Sequence, residues 1–370
     1  MKHFFPVVIA FLTSLSLFSQ QEELKPFSLE LDYFYGSILE HNPDIEHLIT
    51  NHPVGLVMTY NRKTYGFNEW ERRYRYPDWG VTFAYHNSMN DILGDQYALY
   101  GHFNWYFYNR NLVIRMGQGV SYATNPYDLE TNVYNNAYGT RLVSTTFLKA
   151  NYIRENVYKG FGFHLGFNIL HFSNANFRAP NNSTNTFGFN AGVSYLFDHE
   201  NFPELISAEN DPPSSSHAEP IAYNFVFRFG LNESDVVRQG QFPFYVVSAF
   251  ADKRINYKST LQAGVDVFFS KFLEELIYFR SVAYPEDGVS GDEDYKRVGL
   301  FIGHELRFNK VAFVSQLGYY VYWPYAFENR IYNRLGLKRY FLDNKLFASI
   351  TVKAHWAKAE GVEFGLGIRL

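Results

Sequence analysis

Cysteine is absent from all 370 residues. That excludes disulfides and thiolate metal sites without fixing a compartment. Charge of one sign is lacking too: 33 Lys and Arg stand against 37 Asp and Glu for a net charge of -4, and neither sign is concentrated along the chain. Nothing therefore points to nucleic acid or another polyanion as a partner. Beyond the first nineteen residues there is no apolar run long enough to cross a bilayer as a helix, which excludes a helical membrane protein. No nucleophile-elbow serine, P-loop or dinucleotide fingerprint occurs either.

Aromatic side chains are what the chain has in excess, 19 % of its residues, with 37 Phe and 30 Tyr, at a mean hydropathy of only -0.26. Transmembrane β-barrels combine these properties, because aromatic girdles and a lipid-facing apolar band surround a polar interior. Residues 1–19 have a cationic start at Lys2 and His3, an apolar run from Phe4 to Leu12 and a small residue, Ser19, before polar Gln20. This layout predicts a cleaved secretory signal peptide over 1–19.

Along 20–370 the recurring pattern is period-two alternation over segments of about ten residues, the length of a tilted membrane strand. Candidate strands are 27–36, 53–63, 78–87, 96–109, 111–123, 141–154, 158–174, 185–198, 219–231, 242–253, 256–271, 295–308, 310–323, 329–342, 345–356 and 359–370. The expectation is an all-β fold: one transmembrane antiparallel β-barrel of about 12 to 16 strands, with no composition shift dividing it. Ser37 to Thr50 reads as a short helix or loop excursion, and Ser207 to Pro220, containing DPPSSS, as a flexible connector. Tight joints with turn residues, Asn109-Arg110-Asn111, Arg154-Glu155-Asn156, Asp252-Lys253-Arg254, Asn309-Lys310 and Asp343-Asn344, all fall at one end of the strands. Long joints such as Thr124 to Thr140 and Ser281 to Asp294 fall at the other, as expected for periplasmic turns and extracellular loops. Lys63 to Pro77 and Asp198 to Ala218 break this alternation.

One strand carries chemistry. In the segment Tyr158 to Asn174, Phe161, Phe163, Leu165, Phe167 and Ile169 share a face with His171 and Ser173, opposite Gly160, Gly162, His164, Gly166 and Asn168. The apolar face belongs to the lipid, so His171 and Ser173 should project outward at the extracellular end of the strand. An imidazole two residues from a hydroxyl on one face can take its proton as it attacks an acyl carbonyl. Asn185 lies on the outward face of the next strand, where it can hold the imidazole in one tautomer. A polar pair ending a lipid-facing stripe also serves simply to mark the membrane interface. His164 reads as a hydrogen-bonded interior residue. Glu286 to Asp294 reads as a solvated acidic loop without the calcium-loop pattern, and His41 and His47 flank Glu46 without a metal motif.

The segment His171-Phe-Ser-Asn-Ala, followed by Pro180-Asn and a polar residue at Asn185, resembles the active-site segment of the outer-membrane lipid A 3-O-deacylases and related acyloxyacyl-hydrolase-like proteins. Tyr138-Gly-Thr upstream is also similar, and the resemblance spans roughly Ala137 to Phe197. It implies Ser173 as nucleophile, His171 as general base, Asn174 as an oxyanion contributor, and neither metal nor cofactor. It differs at Asn185, where an acid is expected, and the best-known members are small eight-stranded barrels, whereas this chain reads as having many more strands. The resulting expectation is a serine esterase in the outer membrane of a Gram-negative bacterium, acting on lipid A or a related envelope lipid of the outer leaflet. A homo-oligomer is compatible with it. The rival reading is a non-enzymatic porin or transporter with a wide lumen.

Overall fold

The computed structural model describes residues 26–201, 203–209 and 211–370; the expected signal peptide over 1–19 lies outside them. The chain forms strands β1 (Phe27–Ile38), β2 (Val54–Arg62), β3 (Asp78–Asn87), β4 (Asp95–Phe107), β5 (Leu112–Ala123), β6 (Leu142–Tyr158), β7 (Phe161–Ser173) and β8 (Thr184–Leu196). There follow β9 (Ala222–Asn232), β10 (Phe242–Arg254), β11 (Ser259–Ser270), β12 (Arg297–Phe308), β13 (Val311–Tyr322), β14 (Ile331–Phe341), β15 (Leu346–His355) and β16 (Lys358–Arg369). Each expected segment is a strand. The single large barrel is not what they build: β1 pairs with β8 and β9 with β16, closing two antiparallel barrels of eight strands. Period-two alternation reports which way each side chain points but not which strand closes on which, so one barrel of sixteen and two of eight read alike.

Both anomalous connections lie where the barrels join. Asp198 to Ala218 is the linker between them. The Lys63–Pro77 connection carries a short helix, α1 (Glu69–Arg73), whose Arg72 binds Asp211 of the linker at 2.6 Å. Just beyond it, Tyr74 stacks on Phe308 of the second barrel with ring centroids 4.3 Å apart and donates to the Arg307 carbonyl. Two tight turns fall slightly later than expected. β6 continues past Arg154 to turn at Lys159-Gly160, both in left-handed conformation, and β10 includes Asp252 to Arg254. Ser37 to Thr50 holds the end of β1 and a 3-10 turn at Pro43–Leu48 capped by Asn42.

The outer faces are apolar, with Phe161, Phe163, Leu165 and Phe167 exposed on β7 and Leu29, Leu31 and Tyr33 exposed on β1. Eight strands leave an interior just wide enough for side chains to fill, and these fill it with matched charges. In the first barrel Arg115 grips both oxygens of Glu30 at 2.9 and 3.0 Å, Lys149 holds Asp32 at 2.9 Å, and His164 meets Asp32 at 2.6 Å. His164 is thus the interior residue its spacing suggested. Glu30, Asp32 and His164 converge as metal ligands would, but their oxygens are already engaged by Arg115 and Lys149. The second barrel is filled by Arg334 between Asp266 and Glu363, Lys338 on Glu305, and Arg297 and Lys353 on Glu360. The wide lumen of the porin reading is therefore replaced by two packed interiors. Helix α2 (Lys271–Ala283) packs Phe272, Leu273, Leu276 and Ile277 into an apolar cluster with Tyr325 and Phe327 at the loop end of the second barrel, beside the exposed acidic segment Glu286 to Asp294.

Candidate active site at the rim of the first barrel

Strand β7 alternates as its composition requires: Gly162, His164, Gly166 and Asn168 are buried toward the lumen, while Phe161 to Ile169 alternate outward. His171 and Ser173 continue the outward set where β7 meets the long-loop end. His171 is half-buried and Ser173 only 6 % exposed, because the β7–β8 loop folds back over it. Across the strand pair His171 is in register with Asn185, and its Nδ1 lies 2.8 Å from Asn185 Oδ1. An amide oxygen can only accept, so the proton resides on Nδ1 and Nε2 is left with a free lone pair.

Ser173 does not bond His171 here. Its hydroxyl donates to Asn181 Oδ1 at 3.2 Å and accepts from the Ala175 N–H at 3.0 Å. The loop is held by its own asparagines. The Asn174 N–H donates to Asn181 Oδ1 at 2.8 Å, the Asn174 side chain to the Arg178 carbonyl at 2.6 Å, and the Asn181 side chain to Asn176 Oδ1 at 3.0 Å. Ala175 and Asn176 take left-handed conformations in succession, at φ 53° and 58°. That costs Ala175 roughly 1 kcal/mol or more and aims its N–H back at the serine oxygen. Asn174, the expected oxyanion contributor, sits beside Ser173 with its amide turned to Arg178. The other hydrogen-bond partner of the serine oxygen besides the Ala175 N–H is Asn181, which stands in the sequence simply as the residue after Pro180. No spacing rule marks it, since the loop brings it back across eight positions.

Two neighbouring segments support this loop. Gly139, in the Tyr138-Gly-Thr segment, packs so closely that a Cβ there would lie 2.5 Å from the carbonyl oxygens of both Arg178 and Ala179. Tyr138 bonds the Thr184 hydroxyl through its own. His41, without a motif in the sequence, reaches the Asn182 carbonyl at 3.1 Å and Ser183 Oγ at 3.2 Å. His47 instead meets the Tyr134 carbonyl, so the two histidines do not converge.

The fold and rim define a double β-barrel with a serine, histidine and asparagine cluster on the outer face of its first barrel. A family model described as lipid A 3-O-deacylase (PagL) matches residues 55–194, and one described as acyloxyacyl hydrolase, C-terminal domain, matches residues 221–370. Together they take in most of the chain, one on each barrel, and the chain belongs to this lipid A deacylase and acyloxyacyl hydrolase family. The eight-stranded size of familiar members is met by each barrel separately. No curated protein matches the chain. Among solved structures, two mutants of Rh. blastica porin align over 93 % of this chain and 99 % of theirs, each at 10 % identity, with TM-scores of 0.17 and 0.18. Overlap that poor carries no argument about fold or function.

Proposed function

We propose that the protein is an outer-membrane serine esterase that removes an ester-linked acyl chain from lipid A, or a closely related lipid, in the outer leaflet. The observation that carries this reading is the placement of His171 and Ser173 at the end of an exposed apolar stripe, with His171 Nδ1 on Asn185 Oδ1. Nε2 is left to act as base. As an acyl carbonyl enters, the Ser173 hydroxyl swings from Asn181 toward Nε2, loses its proton to it and attacks the carbonyl carbon. The Ala175 N–H already points at the serine oxygen, and the Asn174 N–H and the Asn181 side-chain amide become available as donors to the developing oxyanion once Asn181 turns its oxygen away from the departing Ser173 hydroxyl. His171 returns the proton to the leaving alkoxide, and water then hydrolyses the acyl-enzyme by the same route. A lipid-facing site lets the substrate approach sideways with its chains in the bilayer, where extraction into water would cost about 0.8 kcal/mol per exposed methylene.

Incubating purified lipopolysaccharide with the detergent-folded protein, followed by mass spectrometry, tests this reading. Loss of one acyl chain with wild type but not with Ser173→Ala supports it. Unaltered acylation across a range of lipid A forms, with and without divalent cations, overturns it.

A further inference from the structure

The strand of the second barrel that corresponds to β7 does not repeat the serine and histidine pair. That seventh strand, β15, ends Thr351-Val-Lys353-Ala354-His355; Thr351, Lys353 and His355 are all buried, and His355 pairs with Glu360 inside. What this barrel supplies instead is the β9–β10 loop, laid against the β7–β8 loop of the first. Glu233 is 4 % exposed. Its N–H donates to the Asn176 carbonyl at 2.9 Å and its Oε2 accepts from the Ala179 N–H at 2.9 Å. Its Oε1 accepts from Gly240 N–H at 2.8 Å. Gln241 adds a bond from its side chain to the Phe177 carbonyl at 2.6 Å. These contacts grip Asn176 to Ala179, the segment between the Ala175 N–H and Asn181, the two groups that touch the Ser173 oxygen.

We propose that Glu233 is a positioning residue for Ser173, so that the second barrel acts as the clamp that holds the nucleophile loop of the first. The inference rests on the reading of Ser173 as nucleophile. A carboxylate suits the task because it accepts at both oxygens, and charge-assisted bonds to main-chain N–H groups are roughly twice as strong as neutral ones. An amide would turn donor hydrogens toward one of the two N–H groups. Gly240, at φ 102°, turns its N–H back onto the same carboxylate. The clamp matters because a displacement of about 1 Å in a reacting group can cost on the order of 100-fold in rate.

The test compares full-length wild type, Glu233→Ala and Glu233→Gln in detergent micelles. Three quantities are read: kcat and KM for acyl release from lipopolysaccharide, the rate at which a fluorophosphonate labels Ser173, and hydrogen exchange over residues 174–181. Glu233→Ala is expected to lower kcat and labelling by about 10- to 100-fold with KM little changed, and to speed exchange in 174–181 while the strands stay protected. Glu233→Gln is expected to fall between. Unchanged exchange in Glu233→Ala, or faster exchange with kcat and labelling retained, overturns the clamp. A wild type that labels at Ser173 yet leaves lipid A intact overturns the proposed substrate only, and the labelling rates still decide the clamp. A wild type that neither labels nor cleaves overturns both.

Discussion

Asn185 stands where a carboxylate is expected, and replacing it both ways measures what it does. In Asn185→Asp the accepting oxygen stays about 2.8 Å from His171 Nδ1, and a full negative charge faces the imidazolium that forms as Ser173 gives up its proton. At a separation of about 4 Å and an effective dielectric constant near 20, the attraction is roughly 4 kcal/mol. Holding an ionised carboxylate at a half-buried, lipid-side position costs several kcal/mol in lost hydration, which leaves a net gain of about 1 kcal/mol, or roughly a five-fold rise in kcat. Asn185→Leu removes a neutral hydrogen bond contributing about 1 kcal/mol and frees the ring to rotate, so kcat should fall about ten-fold or more. The assay is the initial rate of acyl release from lipopolysaccharide in mixed micelles, with wild type, Asp and Leu variants at saturating substrate. A Leu variant with wild-type kcat, or an Asp variant slower than the Leu variant, would refute the claim that Asn185 acts through the imidazole.

Gly139→Ala should place its methyl 2.5 Å from the carbonyl oxygens of Arg178 and Ala179, displacing the β7–β8 loop; with Ser173 as the proposed nucleophile, acyl release is expected to drop about 10-fold or more while heat-modifiable electrophoretic mobility shows an intact barrel. Arg334→Met strips the fully buried Asp266 and Glu363 of their principal partner, a change costing about 3–5 kcal/mol. Its unfolding midpoint in urea should fall clearly below wild type, and an unchanged midpoint would show that Arg228, 3.7 Å from Asp266 and 3.8 Å from Glu363, balances the two acids without it.

Much of the strand content was legible because alternation is a local property: each outward Phe or Leu follows an inward Gly, Asn or charged residue within two positions, as β7 shows from Phe161 to Ser173. The same alternation put His171 and Ser173 on one face and Asn185 beside them. The two joints that broke the turn pattern were also visible in the sequence, but their meaning was not: Lys63–Pro77 and Asp198–Ala218 are long because they tie one barrel to the other through Tyr74, Arg72 and Asp211.

By itself the sequence determined where the strand segments lie, their inward and outward sets and the sharing of one face by His171, Ser173 and Asn185, all consequences of backbone geometry within a strand and its hairpin partner. Tertiary structure alone decided that sixteen strands close as eight and eight, since closure depends on pairing between β1 and β8 and between β9 and β16, segments far apart in the chain. It alone put Asn181, Gly139 and Glu233 around Ser173, because those contacts run through loops that return on themselves or cross between barrels, where no fixed periodicity links residue number to position in space.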